Sequence, residues 1–83
     1  MRVGDYVRWN SSGGPAQGRI ERIQRAGTLT PPNSSFRLIA TASDPAALIR
    51  VFRPAADGGW RATETLVAHR LSALRLIPNL TPA

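Results

Sequence analysis

Apolar residues alternate with polar ones in short runs along this chain, and turn-forming residues break the runs at nearly even intervals. A period of two puts successive side chains on opposite faces of a strand. Short strands spaced by regular turns predict a small all-β sandwich or barrel. The first run, Asp5–Trp9, sets Asp5, Val7 and Trp9 on one face and Tyr6 and Arg8 on the other. Asn10–Pro15 ends it with turn chemistry. In the second run, Gln17–Gln24, Ile20 and Ile23 fall out of phase, which predicts a bulge or strong bend between them. Gly18 eases a tight corner at its start.

The stretch from Arg25 to Asp44 lacks a clear period, with Thr30–Ser35 reading as an exposed loop and Phe36–Thr41 as a short added strand. Ala47–Arg53 is the strongest strand pattern in the chain, with Ala47, Ile49 and Val51 on one face and Leu48, Arg50 and Phe52 on the other. Pro54–Gly59 predicts a hairpin turn centred on Asp57-Gly58, with Trp60–Val67 as the returning strand. Ala68–Ser72 predicts one helical or 3-10 turn, and Ala73–Ile77 a closing strand that Pro78 stops. The expected core is Val7, Trp9, Ile20, Ile49, Val51, Leu66, Leu74 and Leu76. No helix pattern of useful length is present, so no helix longer than about two turns is expected.

Eighty-three residues predict a single domain, taken here as residues 1–78 with 79–83 as a flexible C-terminal tail. A chain of this size buries only about 60–65% of its unfolded surface, and with no cysteine it has no disulfide to add stability. Met1-Arg2 leads directly into Val3-Gly4-Asp5 without an apolar signal segment, and no apolar run approaches the ~20 residues of a membrane span. A cytoplasmic location is the expectation.

Catalysis requires convergent acids, bases or nucleophiles. The chain has one histidine and five scattered acids, Asp5, Glu21, Asp44, Asp57 and Glu64. His69 has no second histidine with which to hold zinc, so a structural role is expected, as a cap or a backbone partner at the turn before the last strand. Gly13-Gly14 precedes a proline and lacks the lysine of a phosphate loop. The reading is a protein without enzymatic activity, cofactor or metal.

Three blocks carry a resemblance. Gly4–Ser11 followed by Gly18-Arg19-Ile20, then Ala42–Pro45, then Ala68–Arg75 are similar, in that order, to the signatures of the small bacterial hypervirulence-associated Tudor-domain family. The likeness covers most of residues 4–77. It implies a five-stranded, SH3-like (Tudor-type) barrel, to which the residue pattern above adds one short extra strand and a 3-10 turn before the last strand. It names no ligand.

The net charge is +6, and all eleven basic residues are arginine. Arginine forks suit carboxylates and phosphates, although GC-rich coding also yields arginine with alanine, glycine and proline. A Tudor cage would need several aromatic faces. Trp9 shares its parity with Val7 and belongs to the core, leaving Tyr6, Phe52 and Trp60 for an open edge, with Phe52 and Trp60 alternatively a cross-strand pair. Rings and planar cations interleave at Tyr6, Arg8, Arg50, Phe52, Arg53, Trp60 and Arg61, the candidate binding residues. Such a surface fits an acidic peptide of a protein partner. It fits single-stranded DNA or RNA as well. Arginine stems folded over the rings, with their heads in water, are the purely structural account. The expectation is a non-catalytic interaction module for a protein partner, with nucleic-acid binding as the alternative.

Overall fold

A computed structural model describes residues 1–82; Ala83, the last residue of the expected tail, lies outside the described residues. Seven strands form: β1 (Tyr6–Ser11), β2 (Gly14–Gln24), β3 (Gly27–Leu29), β4 (Leu38–Ala40), β5 (Ala46–Pro54), β6 (Trp60–Arg70) and β7 (Arg75–Leu76). The one helical element among the described residues is the 3-10 turn Leu71–Ala73. Five strands make an antiparallel sheet in the order β6-β5-β2-β1-β7, and β3 and β4 pair separately. The chain thus meanders through β1, β2, β5 and β6, and the 3-10 turn carries it back to lay β7 beside β1.

This is the all-β domain with a five-stranded sheet that was expected. The added strand expected over Phe36–Thr41 is Leu38–Ala40 and pairs with β3, which was not expected. The 3-10 turn falls at Leu71–Ala73 rather than Ala68–Ser72, because β6 runs on to Arg70. The barrel itself is open. The sheet curls enough to bring Trp9 of β1 within 5.3 Å of His69 on β6, with β2 and β5 between them in the sheet. The edge strands β6 and β7 nevertheless do not pair. The closing strand expected at Ala73–Ile77 shrinks to two residues, because the 3-10 turn takes Ala73 and Pro78 cannot donate to a ladder. Two residues are too few to close a barrel.

Alternation places Val7, Trp9, Ile20, Ala47, Ile49, Val51 and Leu74 in one buried cluster on the inner face. Two expected core residues are elsewhere. Leu66 is half-buried, because it stands opposite Arg50 on the outer face while Val67, opposite Ile49, packs on the core. Leu76 is 58% exposed, because β7 lies at the unclosed edge. The bulge expected between Ile20 and Ile23 appears as a register shift between Ile20 and Arg22. At Gly18 a Cβ would sit 2.9 Å from Ile49 Cγ2 and nearer still to the Arg50 carbonyl oxygen, so only glycine lets β2 cross β5 there.

β5 is buried on both faces. Outside, the β3–β4 hairpin covers Ala46 and Leu48, and Leu29, Ala40, Ala46 and Ala68 form a second buried cluster. A strand covered on both sides reads as a near-continuous apolar run, as Ala46–Phe52 does around Arg50. The loop of 30–37 joins β3 to β4, with Asn33 at φ 59°. Ser72 donates through its hydroxyl (2.7 Å) and its backbone N–H (3.2 Å) to the Asp44 carboxylate, and the Leu71 N–H donates to the Pro45 carbonyl at 2.9 Å. These bonds fix the 3-10 turn, and so the approach of β7 to β1.

The hairpin expected over Pro54–Gly59 forms between β5 and β6 through a five-residue loop, Ala55–Gly59, in which the Gly58 N–H donates to the Ala55 carbonyl at 3.2 Å. Its glycines, Gly58 (φ 92°) and Gly59 (φ 74°), take the left-handed backbone that returns the chain. Further on, Trp60 donates its N–H to the Thr81 carbonyl at 2.7 Å, and Pro82 bridges to Trp60.

Candidate functional site

A two-residue turn, Ser12-Gly13, fixes the β1–β2 register and sets Tyr6 opposite Arg19 and Arg8 opposite Gln17. The β2–β5 register then sets Arg19 opposite Arg50 and Gln17 opposite Phe52. These side chains share the outer face. Tyr6 meets Phe52 edge-on, with ring centroids 5.5 Å apart and planes at 81°. The Arg19 guanidinium carbon lies 5.2 Å from the Phe52 ring centre. Phe52 is only 8% exposed as a result.

One carboxylate serves both central arginines. Arg19 donates through Nη2 (3.1 Å) and Nε (3.2 Å) to Glu21 Oε2, and Arg50 Nε lies 3.6 Å from the same oxygen. Arg50 Nη1 also donates to the Thr63 carbonyl at 2.8 Å. The Tyr6 hydroxyl does most to raise the Arg19 pKa above its ordinary value; partial burial opposes it and Glu21 adds to it. Tyr6, Phe52 and Arg50 are therefore brought together, with Arg19 and Glu21 completing the group.

The other candidate residues stand apart from it. Trp60 lies opposite Pro54, and Phe52 opposite Ala62, so Phe52 and Trp60 are not a cross-strand pair. Arg53 and Arg61 oppose each other at the hairpin end, both exposed. Arg8 stands opposite Arg75 of β7 at the edge of the sheet. Both line a cleft of about 500 Å³ bounded also by Trp9, Asn10, Ala73, Leu76 and Ile77. No aromatic cage assembles among the described residues: two rings meet on the outer face, and Trp9 stacks in the interior.

His69 is structural, but not as a cap. Its ring lies 5.3 Å from Trp9 at 43°, and the turn it was expected to cap is held by Asp44 instead. Burial lowers its pKa, which keeps it neutral near pH 7. Among the described residues no group of three or more His, Asp or Glu side chains stands ready to hold a metal ion, and no helix is long and apolar enough to cross a membrane.

Sequence reasoning missed Arg19, Glu21 and Arg75 as parts of this face. The Ser12-Gly13 turn carried the signal for Arg19, since a two-residue hairpin loop dictates its partner. Nothing local marked Arg75, whose place depends on the 3-10 turn. Comparison with protein-family models gives no match, and comparisons with curated proteins and with solved structures give none either.

Proposed function

We propose that this domain is a cytoplasmic, non-catalytic interaction module that binds an acidic segment of a partner protein through its arginine-bearing outer face. The supporting observation is a mismatch between rings and cations. Phe52 is already occupied by Tyr6 and Arg19, whereas arginines other than Arg19 and Arg50 have no carboxylate partner among the described residues. Single-strand binding stacks bases on free ring faces, and the well-exposed ring of Phe36 overhangs a groove of Pro31, Leu66 and Val67 whose lining holds no arginine. The ring at the Arg8–Arg75 cleft, Trp9, is buried and offers no free face for a base, and guanidinium forks in that setting suit carboxylates. The likeness of Gly4–Ser11 and Ala68–Arg75 to the hypervirulence-associated Tudor-domain proteins supports a binding fold over an enzyme.

The net charge of +6 favours the second reading, a single-stranded nucleic-acid binder. Anisotropy titrations separate the two, using a labelled glutamate-rich peptide and an oligonucleotide at two salt concentrations around the physiological one. The acidic-partner reading predicts peptide binding that persists, with oligonucleotide binding that is weak and lost as salt rises. Each phosphate contact contributes a log–log slope of about −0.7. Micromolar oligonucleotide binding that Trp60→Ala weakens by about 1–3 kcal/mol would overturn it in favour of nucleic acid.

A further inference from the structure

Arg8 and Arg75 face each other directly across the β1–β7 pairing. Cross-strand neighbours have Cβ atoms roughly 4.5–5.5 Å apart, and like charges at that spacing oppose the pairing. The opposition falls at the weakest point of the sheet, since β7 contributes only Arg75 and Leu76. No carboxylate among the described residues relieves it, although Arg19 and Arg50 obtain one from Glu21. Both arginines are exposed and both line the 500 Å³ cleft at the sheet edge. An unrelieved cation pair over a concave surface is complementary to an oxyanion, which two guanidinium forks bind with paired, charge-assisted hydrogen bonds.

We infer that this cleft anchors the partner, taking one aspartate or glutamate carboxylate between Arg8 and Arg75 and an adjacent apolar side chain against Leu76. The inference rests on the acidic-partner reading above and deepens it. Two observations favour a protein carboxylate over a phosphodiester. The outer edge of β7 has no strand partner, so an extended peptide can run along it and hydrogen-bond its backbone. Leu76, 58% exposed, and Ile77 also border the cleft, giving an apolar surface next to the cations that a sugar–phosphate chain would not use.

The test is calorimetric titration of the whole chain with a short, acetylated and amidated peptide bearing a central Glu-Leu pair. Inorganic phosphate is the second probe. Arg8→Gln and Arg75→Gln should each weaken peptide binding about tenfold or more, the loss expected for a hydrogen-bonded charge contact. Arg37→Gln, on the exposed 30–37 loop and outside the lining of the cleft, should leave it unchanged. Thermal midpoints of both cleft variants should match or exceed wild type, because each removes one of two opposed like charges; this separates lost binding from lost folding. Peptide binding that Arg75→Gln and Arg8→Gln leave within twofold of wild type overturns the cleft as anchor while the acidic-partner reading stands. No peptide binding to wild type at all brings down both. Saturable phosphate binding that needs Arg8 and Arg75, with no peptide binding, overturns the carboxylate assignment and makes the site one for phosphate.

Discussion

Arg19 and Arg50 sit at the middle of the outer face; Arg8 and Arg75 sit at its edge, on the same side of the same sheet. The central pair flanks a nearly buried ring and shares the carboxylate of Glu21. The edge pair borders an open cleft and shares nothing. Where rings and neighbouring strands crowd out water, a cation needs a fixed counter-charge, because desolvation penalises an unpaired one. At the edge, water does that service. Position in the sheet, and not the number of arginines, separates a cation paired with a carboxylate from one left to solvent.

The comparison breaks most readily at Phe52. Phe52→Ala removes the ring on which Tyr6 and Arg19 rest and should cost about 3–5 kcal/mol in urea denaturation, a large share of the stability of so small a domain. A loss under about 1 kcal/mol would mean that the central group is loosely packed and as open as the edge.

Gly18→Ala acts from beneath. Its Cβ would meet the Arg50 carbonyl and Ile49, backbone and core atoms with little room to give. Overpacking of this kind costs about 1–3 kcal/mol. Denaturation midpoints equal to wild type would show that β2 and β5 separate freely, and that the spacing of Arg19 and Arg50 is not fixed by the glycine.

Charge removal should then have opposite signs in the two regions. Glu21→Gln leaves two partly exposed cations facing each other and should destabilise by about 0.5–1 kcal/mol, within the range of exposed and half-exposed ion pairs. Arg75→Gln relieves a like-charge pair and should stabilise by a few tenths of a kcal/mol. Chemical denaturation at low salt measures both, and a common sign would erase the distinction between centre and edge.

The smallest effect lies on the other side of the sheet and serves as its control. Burial depresses the pKa of His69, so the folded chain resists a proton that the unfolded chain accepts. Its contribution to stability is complete above the unfolded value of about 6.5 and is lost as pH falls through the folded-state pKa. Denaturation midpoints measured from about pH 7.5 down to about pH 5.5, each about one unit from the group's ordinary value, should decline in wild type and decline less in His69→Phe. Identical acid limbs would place His69 in water.

Much of this was legible in the chain. Val7 and Trp9 declared their face by alternation, Ile20 and Ile23 declared a bulge by breaking it, and Ala47–Arg53 stood out because β5 is covered on both sides. What covers its outer side was not legible, since the second cluster is mostly alanine, and alanine carries little periodic signal. Leu66 and Leu76 misled for a different reason: their burial depends on which strand stands opposite and whether the sheet closes, and neither is local information. At the site, Tyr6, Phe52 and Arg50 came together as the interleaved pattern suggested. Trp60, Arg53 and Arg61 lie at the hairpin end because the register places Trp60 against Pro54 and Arg61 against Arg53. Arg8 found its partner only through β7, whose position is set by the Asp44–Ser72 contacts far away in sequence.

The division between closed centre and open edge is tested most directly by the side-chain Nε–Hε signals of the arginines, observed by NMR while the acidic peptide is titrated into the protein. The signals of Arg8 and Arg75 should move and saturate together, while those of Arg19 and Arg50 stay in place, held by Glu21. Movement of Arg19 and Arg50 with Arg8 and Arg75 unchanged would contradict the account at its centre.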